Sequence, residues 1–454
     1  MTPARTAAQN TEKAYLPVSL MPMPTPTATA TATRIPIPTG SIIPNDEYYG
    51  DLWGMTRMRA PEAWTISTGQ EVVIAILDTG IDYTHPEFTG RLVSPSLWYD
   101  FSNNDTDPMD GEGHGTHVSG SAAAAANNGV GVAGVAWNAR IMPLKVLNDE
   151  GSGYLSWSTA AIEHATNNGA KIINMSLGSE SYSGPLQSAI DYAVSRGVVV
   201  IAASGNCHQV GNGCDAADPV TYPAAMSGVI GVGATTREDA HASYSTMGYY
   251  VDVSAPGGDY IGDHDLGSLI LSTIPTHVFQ EGYAWGAGTS MAAPHVTGVA
   301  ALLLKERPSL TPGDIAFILG ATAADLGAAG RDDAFGHGRV DARAALESVW
   351  YMNNPRIAPE PIVQAAPATN CSVAHASDRL MLRQSAAATR ARQSVLDNVP
   401  TEILHDLSEW QVLKVPTGQA CSLMKALNAS GGQVVAELDP LVSLSPHEMF
   451  STQK

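Results

Sequence analysis

Gly288-Thr289-Ser290-Met291-Ala292-Ala293-Pro294-His295 runs directly into the largely apolar stretch Val296 to Leu304. The stretch reads as a buried helix, and the small-residue turn before it sets Ser290 at the helix N-terminus. There a hydroxyl meets unpaired backbone N–H groups and the positive end of the helix dipole. A developing oxyanion can be held at such a place. Pro294 is expected in the first turn, where a missing N–H costs little.

A serine becomes a nucleophile only when an oriented base takes its proton. Working back along the chain, Val72 to Leu77 is a continuous apolar run, as in a strand buried on both faces, and it ends in Asp78-Thr79-Gly80. Gly113-His114-Gly115-Thr116-His117-Val118 precedes an alanine-rich helical stretch. The order Asp78, His114, Ser290 is one in which the acyl-transfer triad occurs. Taken singly, Asp78 reads as a strand-end cap and Ser290 as a helix cap. Together with His114 they read as catalytic.

These three boxes resemble the signature motifs of the subtilisin-like serine proteases (subtilases), most closely the thermitase-like branch, over roughly residues 45 to 350. The resemblance implies an α/β fold, a parallel sheet flanked by helices, and peptide hydrolysis through an acyl-enzyme. It gives Ser290 as nucleophile, His114 as proton carrier and Asp78 as its orienting partner. Asn206, in Ser204-Gly205-Asn206, becomes the second oxyanion donor beside the Ser290 N–H. Ser176-Leu177-Gly178 would form one rim of the first specificity pocket, Ala203-Ser204-Gly205 the opposite wall, and Thr221 its base. Those walls are small and uncharged, so an apolar side chain before the cut is expected. Tyr222-Pro223 stands where the family has a cis bond. His117 and His295 are read as structural.

The same resemblance implies structural Ca2+. Asp100, Asn103 and Asp105, with Asp107 and Met109 contributing backbone, match one loop site. The stretch reads equally well as a solvated acidic loop. Asp46, Asn128 and the carbonyls of Ala125, Val130 and Val132 match a second, tighter site, in which Glu87 replaces the family's remaining carboxylate. All these ligands are oxygens, as a hard cation requires.

Between the boxes, strand-like and helical stretches alternate. Arg140 to Val146, Lys171 to Met175, Gly197 to Ala203, Val229 to Val232 and Tyr250 to Val253 read as strands; Thr159 to Asn167 and Pro185 to Arg196 read as helices. That alternation points independently to a parallel α/β sheet. Residues 1–44, rich in Pro, Thr and Ala from position 21 on, are expected to form a disordered linker. Residues 45–351 form the protease domain and 352–371 a proline-rich linker. Residues 372–450 form a small α+β domain in ferredoxin-like βαββαβ order. Trp410 to Pro416 and Val434 to Pro440 within it resemble the inhibitory propeptides of subtilases, which ordinarily precede the protease rather than follow it.

With Lys+Arg 24 against Asp+Glu 44, the net charge of -20 argues against nucleic acid. No stretch of about twenty apolar residues suggests a membrane span. Prolines interrupt Leu16 to Met23, so that segment does not form a signal peptide's apolar core. Of the four cysteines, Cys207 and Cys214 suit a short disulfide loop, and Cys371 with Cys421 is the remaining pairing. The expectation is a secreted, monomeric serine endopeptidase acting on proteins or peptides, with its own C-terminal domain as a partner. The alternative is a catalytically silent subtilase-fold scaffold that only binds.

Overall fold

The computed structural model describes residues 37–211, 214–260, 265–351, 375–383, 402–406, 410–415, 419–429, 436–443 and 449–451. Ten strands fall in the protease domain. They are β1 Val73–Asp78, β2 Tyr99–Asp100, β3 Arg140–Lys145, β4 Ser152–Tyr154, β5 Ile172–Met175, β6 Val199–Ala203, β7 Val229–Thr235, β8 Val251–Pro256, β9 Ile270–Thr273 and β10 Tyr283–Ala287. Seven of them make one sheet in the order β2-β3-β1-β5-β6-β7-β8, and every pairing in it is parallel. From β1 the chain builds toward β3 on one side and β5 on the other. A site is therefore expected beyond the carboxyl end of β1, where the order reverses. Asp78 is the last residue of that strand.

Strand periodicity divides the core between the two faces of the sheet. Ile74 and Ile76 pack in one layer with Val118 and Ala122 of the His114 helix (His114–Ala123) and Val296 and Val299 of the Ser290 helix (Thr289–Glu306). Ala75 and Leu77 pack in the other, with Leu155, Ile162 and Ile190 from helices Leu155–Asn167 and Gly184–Ser195. The two helices that carry His114 and Ser290 therefore lie side by side on the same face. They approach closely because Gly298 has no side chain. A Cβ there would lie 2.4 Å from Cβ of Val135 and 3.2 Å from the carbonyl oxygen of Ala122.

Residues 37–44, expected within the disordered leader, are instead tied to the domain. The Ile42 N–H donates to Pro61 O at 2.8 Å, and Arg343 donates to Pro38 O at 2.8 Å. Residues 1–36 and the linker 352–371 lie outside the described residues. Cys207 and Cys214 form a disulfide. Cys421 is also disulfide-bonded, while Cys371 lies outside the described residues.

After the protease domain come β11 His375–Arg383, β12 Glu402–Asp406, β13 Trp410–Lys414, helix Ala420–Ala429, β14 Ala436–Ser443 and β15 Met449–Ser451. The helix expected over Ser385 to Val399 lies outside the described residues. Strands β12-β13-β11-β14 stand in the order of a split βαββαβ unit. They continue into β4 of the protease domain, giving a sheet of five strands. A separate three-stranded sheet has the order β15-β10-β9.

Candidate active site

The end of β1 and the start of the His114 helix can meet because Gly115 is small. A Cβ at Gly115 would lie 2.2 Å from Gly80 O and 3.1 Å from Asp78 Cβ. The helix thus seats its first residue on the strand end, where His114 Nδ1 lies 2.6 Å from Asp78 Oδ1. The Thr79 N–H donates to the same oxygen at 2.7 Å. Both side chains are fully buried. Burial pushes the Asp78 carboxyl above its ordinary range, while the facing imidazole and the Thr79 N–H favour its charged form.

Asp110, which the sequence did not single out, fixes the position of that helix. Its carboxylate accepts from Thr79 Oγ1 (2.8 Å), Gly113 N–H (2.8 Å), Thr116 N–H (2.9 Å) and Thr116 Oγ1 (2.6 Å). An anion satisfies the free N–H groups of a helix start. Through Thr79 it also clamps the helix to the β1 end, since the Gly115 N–H donates to Thr79 Oγ1 at 2.8 Å. The signal available in the sequence was a carboxylate four residues before His114.

The Ser290 helix begins at Thr289, so Pro294 stands beyond the first turn, inside the helix. This corrects the sequence expectation, and it has a consequence. Pro294 has no N–H to give the Ser290 carbonyl four residues earlier. That carbonyl instead accepts from Ser176 Oγ at 2.9 Å, and Ser290 Oγ donates to Ser176 O at 3.2 Å. Asn174 Nδ2 in turn donates to Ser176 Oγ at 3.0 Å, and Thr297 Oγ1 to Asn174 Oδ1 at 2.8 Å. The serine is thus gripped from the β5 end by both the backbone and the side chain of Ser176.

Asn206 lies three residues beyond the end of β6. Its Oδ1 accepts from Thr289 N–H (2.9 Å) and Thr289 Oγ1 (2.8 Å), which fixes the amide plane with the NH2 end turned the other way. Gly205 (φ +105) is bonded to Thr289 Oγ1 through its N–H at 3.2 Å, and Thr221 Oγ1 lies 2.8 Å from where a Gly205 Cβ would stand. Ser179 and Tyr222 exchange N–H···O bonds of 2.8 Å in both directions. The segments holding Ser176, Leu177 and Gly178, then Ala203, Ser204 and Gly205, and then Thr221 are therefore brought together around Ser290. The Tyr222-Pro223 bond is cis.

His117 and His295 are buried and bonded to backbone carbonyls, His117 Nε2 to Ile270 O and Ala284 O and His295 Nδ1 to Met291 O. Burial pushes them down to about 3 and about 4, which keeps both rings neutral. Burial works against the charge of Asp82 too, but donors from Thr84 and Thr276 outweigh it and hold that carboxyl low.

The two sets of oxygen ligands behave differently. Asp46 accepts the N–H groups of Asn127 (2.7 Å), Asn128 (3.0 Å) and Gly129 (3.2 Å). Glu87 accepts from Asn128 Nδ2 (3.2 Å), Val132 N–H (2.9 Å) and the Tyr283 hydroxyl (3.1 Å). Both carboxylates are buried against the loop of residues 127–132, and burial, with the charge of Asp46 adding, pushes Glu87 up to about 7. Two buried, mutually repelling carboxylates are the charge a hard cation would neutralise, and in the structure N–H and O–H donors take that place. In the other loop each carboxylate closes on its surroundings. Asp100 accepts from Ser102 and Asn103, Asp105 from the Asp107 N–H, and Asp107 from the Tyr83 hydroxyl. Met109 contributes its carbonyl to the wall against Gly80. Among the described residues no three His, Cys, Asp or Glu side chains converge on one point.

Residues 69–338 match the subtilase family. The chain belongs to the subtilase family. A thermophilic serine proteinase from Bacillus sp. strain AK1 is 44% identical over 267 residues, 58% of this chain and 60% of that protein. The chain thus spans less than two thirds of that relative. Thermitase from Thermoactinomyces vulgaris is 40% identical over 307 residues, 67% of this chain and 99% of the enzyme. Among solved structures, a protease from Pseudoalteromonas arctica superposes with a TM-score of 0.59 at 34% identity, covering 68% of this chain and 99% of that one. This subtilase has the fold and enzyme class of the serine endopeptidases it resembles. Among the described residues no helix is long and apolar enough to cross a membrane.

Proposed function

We propose that this subtilase is a secreted, monomeric endopeptidase that cleaves protein or peptide substrates through an acyl-enzyme. The observation that carries the proposal is the 2.6 Å contact between His114 Nδ1 and Asp78 Oδ1. With Nδ1–H donated to the carboxylate, Nε2 is the basic nitrogen. It takes the Ser290 proton during attack and returns it to the leaving amine, while Asp78 stabilises the intervening imidazolium. The Ser290 N–H and Asn206 Nδ2 receive the oxyanion. Secretion is supported by the Cys207–Cys214 disulfide, since oxidising compartments preserve such bonds.

Substrate specificity follows from Ser176, Leu177, Gly178, Ala203, Ser204, Gly205 and Thr221, none of which carries a charge. A cation entering that pocket would be left unpaired. Chromogenic peptides ending in Phe or Leu are expected to show kcat/KM on the order of 100-fold above the Lys analogue, the scale of a poorly solvated charge. Equal rates, or a preference for Lys, would defeat the assignment of these walls.

Asp46, Glu87 and Asn128, with the Ala125, Val130 and Val132 carbonyls, are proposed to hold one Ca2+. The ion would supply charge neutralisation to two buried carboxylates and take no part in catalysis. At a free concentration 100 times Kd it stabilises the fold by about 2.7 kcal/mol. Chelation with EGTA should therefore lower the Tm by about 5 °C or more in calorimetry. A Tm unmoved by chelation and by re-added calcium would remove the site. The loop of Asp100, Asn103, Asp105, Asp107 and Met109 is proposed only as a weaker second site. The C-terminal segment is proposed to inhibit the protease or to assist its folding.

A further inference from the structure

A second carboxylate stands with Asp110 at the start of the His114 helix. Gly113 (φ +119) turns the chain into the helix, and Glu112, one residue before it, reaches round that turn. Its Oε2 accepts the His114 N–H at 2.8 Å.

The other charged groups around His114 are already engaged. Asp78 on β1 gives Oδ1 to His114 Nδ1 and to the Thr79 N–H. Asp110 accepts from Thr79, Gly113 and Thr116, and also from the Glu112 N–H at 3.1 Å. Lys145, buried at the end of β3, donates to the Thr79 carbonyl and to Asp149 Oδ1, so its charge is matched. His117, within the helix, is held neutral by burial. Glu112 is half-buried and, among the described residues, accepts one hydrogen bond, the one from His114. Burial pushes its carboxyl above the ordinary range; the charge of His114 and the N–H bond pull it back, while Asp110 and Asp78 repel it. Attraction between two groups is mutual, so the ionised carboxylate favours the protonated imidazole in turn.

Capping alone needs no charge here. Asp110 already meets N–H groups of the first turn, and a Gln amide oxygen at position 112 could accept the His114 N–H. What a carboxylate adds is a full negative charge beside an imidazole that is closed off from water, where charges are weakly screened.

We infer that Glu112 is a positioning residue for the hydrolysis, acting through His114: its carboxylate stabilises the imidazolium that forms when Nε2 takes the Ser290 proton. The inference rests on the acyl-enzyme reading above and names a residue that tunes its base. Glu112 neither gives nor takes that proton. The O–H bond of Ser290 breaks, an N–H bond forms at Nε2, and the proton departs with the leaving amine.

The test compares the intact chain with Glu112→Gln and Glu112→Ala. Hydrolysis of a chromogenic peptide is followed as kcat/KM against pH, whose acid limb reports protonation of His114 in the free enzyme. Without the negative charge the imidazole is harder to protonate, so the limb should move to lower pH by about half a unit in both variants. At the plateau kcat/KM should fall about 3-fold, the same energy read as a rate. Glu112→Ala should in addition lower the Tm, because the His114 N–H loses its acceptor. The pH dependence of fluorophosphonate labelling at Ser290 should show the same displaced limb without turnover. Both variants lack the charge, so either one decides the matter if the other does not fold. A limb that stays in place or moves to higher pH, in hydrolysis and labelling alike, overturns the inference, reduces Glu112 to a cap and leaves the endopeptidase assignment standing. No hydrolysis and no labelling of Ser290 in the intact chain overturns both.

Discussion

Ser290→Ala is expected to lower kcat by about 10⁶-fold, the scale measured for loss of a triad nucleophile. The fold should survive. The 3.2 Å hydrogen bond from Ser290 Oγ to Ser176 O is lost, whereas the bond from Ser176 Oγ to the Ser290 carbonyl is made to backbone and remains. One ordinary hydrogen bond contributes about 1 kcal/mol, so calorimetry should show a Tm shift of only a few degrees. His114→Ala should cost nearly as much in rate, and the double substitution little more than either alone, because the two groups act as one unit. A loss below 100-fold for Ser290→Ala, with the fold intact, would mean that another group attacks the substrate.

Asn206 should separate its two jobs cleanly. Its Oδ1 accepts from Thr289 N–H and Oγ1, and its NH2 end is assigned to the oxyanion. Asn206→Asp keeps the oxygen that Thr289 needs and removes the donor. Its kcat should fall by at least 10²–10³-fold, because a carboxylate also repels the developing charge. Asn206→Ala should fall by a similar factor and also lose about 1–3 kcal/mol of stability, since the buried Thr289 N–H loses its acceptor. Near-normal kcat in Asn206→Asp, read by steady-state peptide hydrolysis, would remove Asn206 from the transition state.

Much of this was legible in the sequence where one local rule dominated. The run Val72 to Leu77 read as a buried strand, and its end gave Asp78. The apolar length after Ser290 gave the helix and hence the serine's place at its start. What the sequence hid was tertiary. Ser152-Gly153-Tyr154 has no apolar run, and becomes strand β4 only because residues 441–443 pair with it. Asp110 looks like one more acidic loop residue until Thr79, Gly113 and Thr116 all donate to it. The position of Pro294 depended on where the helix begins, a boundary that composition does not set. The acidic loops announced oxygen ligands, but not that Asp107 would turn to Tyr83 while Asp46 and Glu87, from separate segments, both closed on residues 127–132.

The central claim is that Asp78, His114 and Ser290 form one proton-transfer unit that makes the Ser290 oxygen unusually reactive. Labelling with a fluorophosphonate, followed by peptide mass mapping, tests it most directly. One adduct per chain is expected, on the peptide containing Ser290, abolished by Ser290→Ala and slowed by orders of magnitude in His114→Ala. An adduct on another residue, or labelling of Ser290 at the same rate without His114, would contradict it.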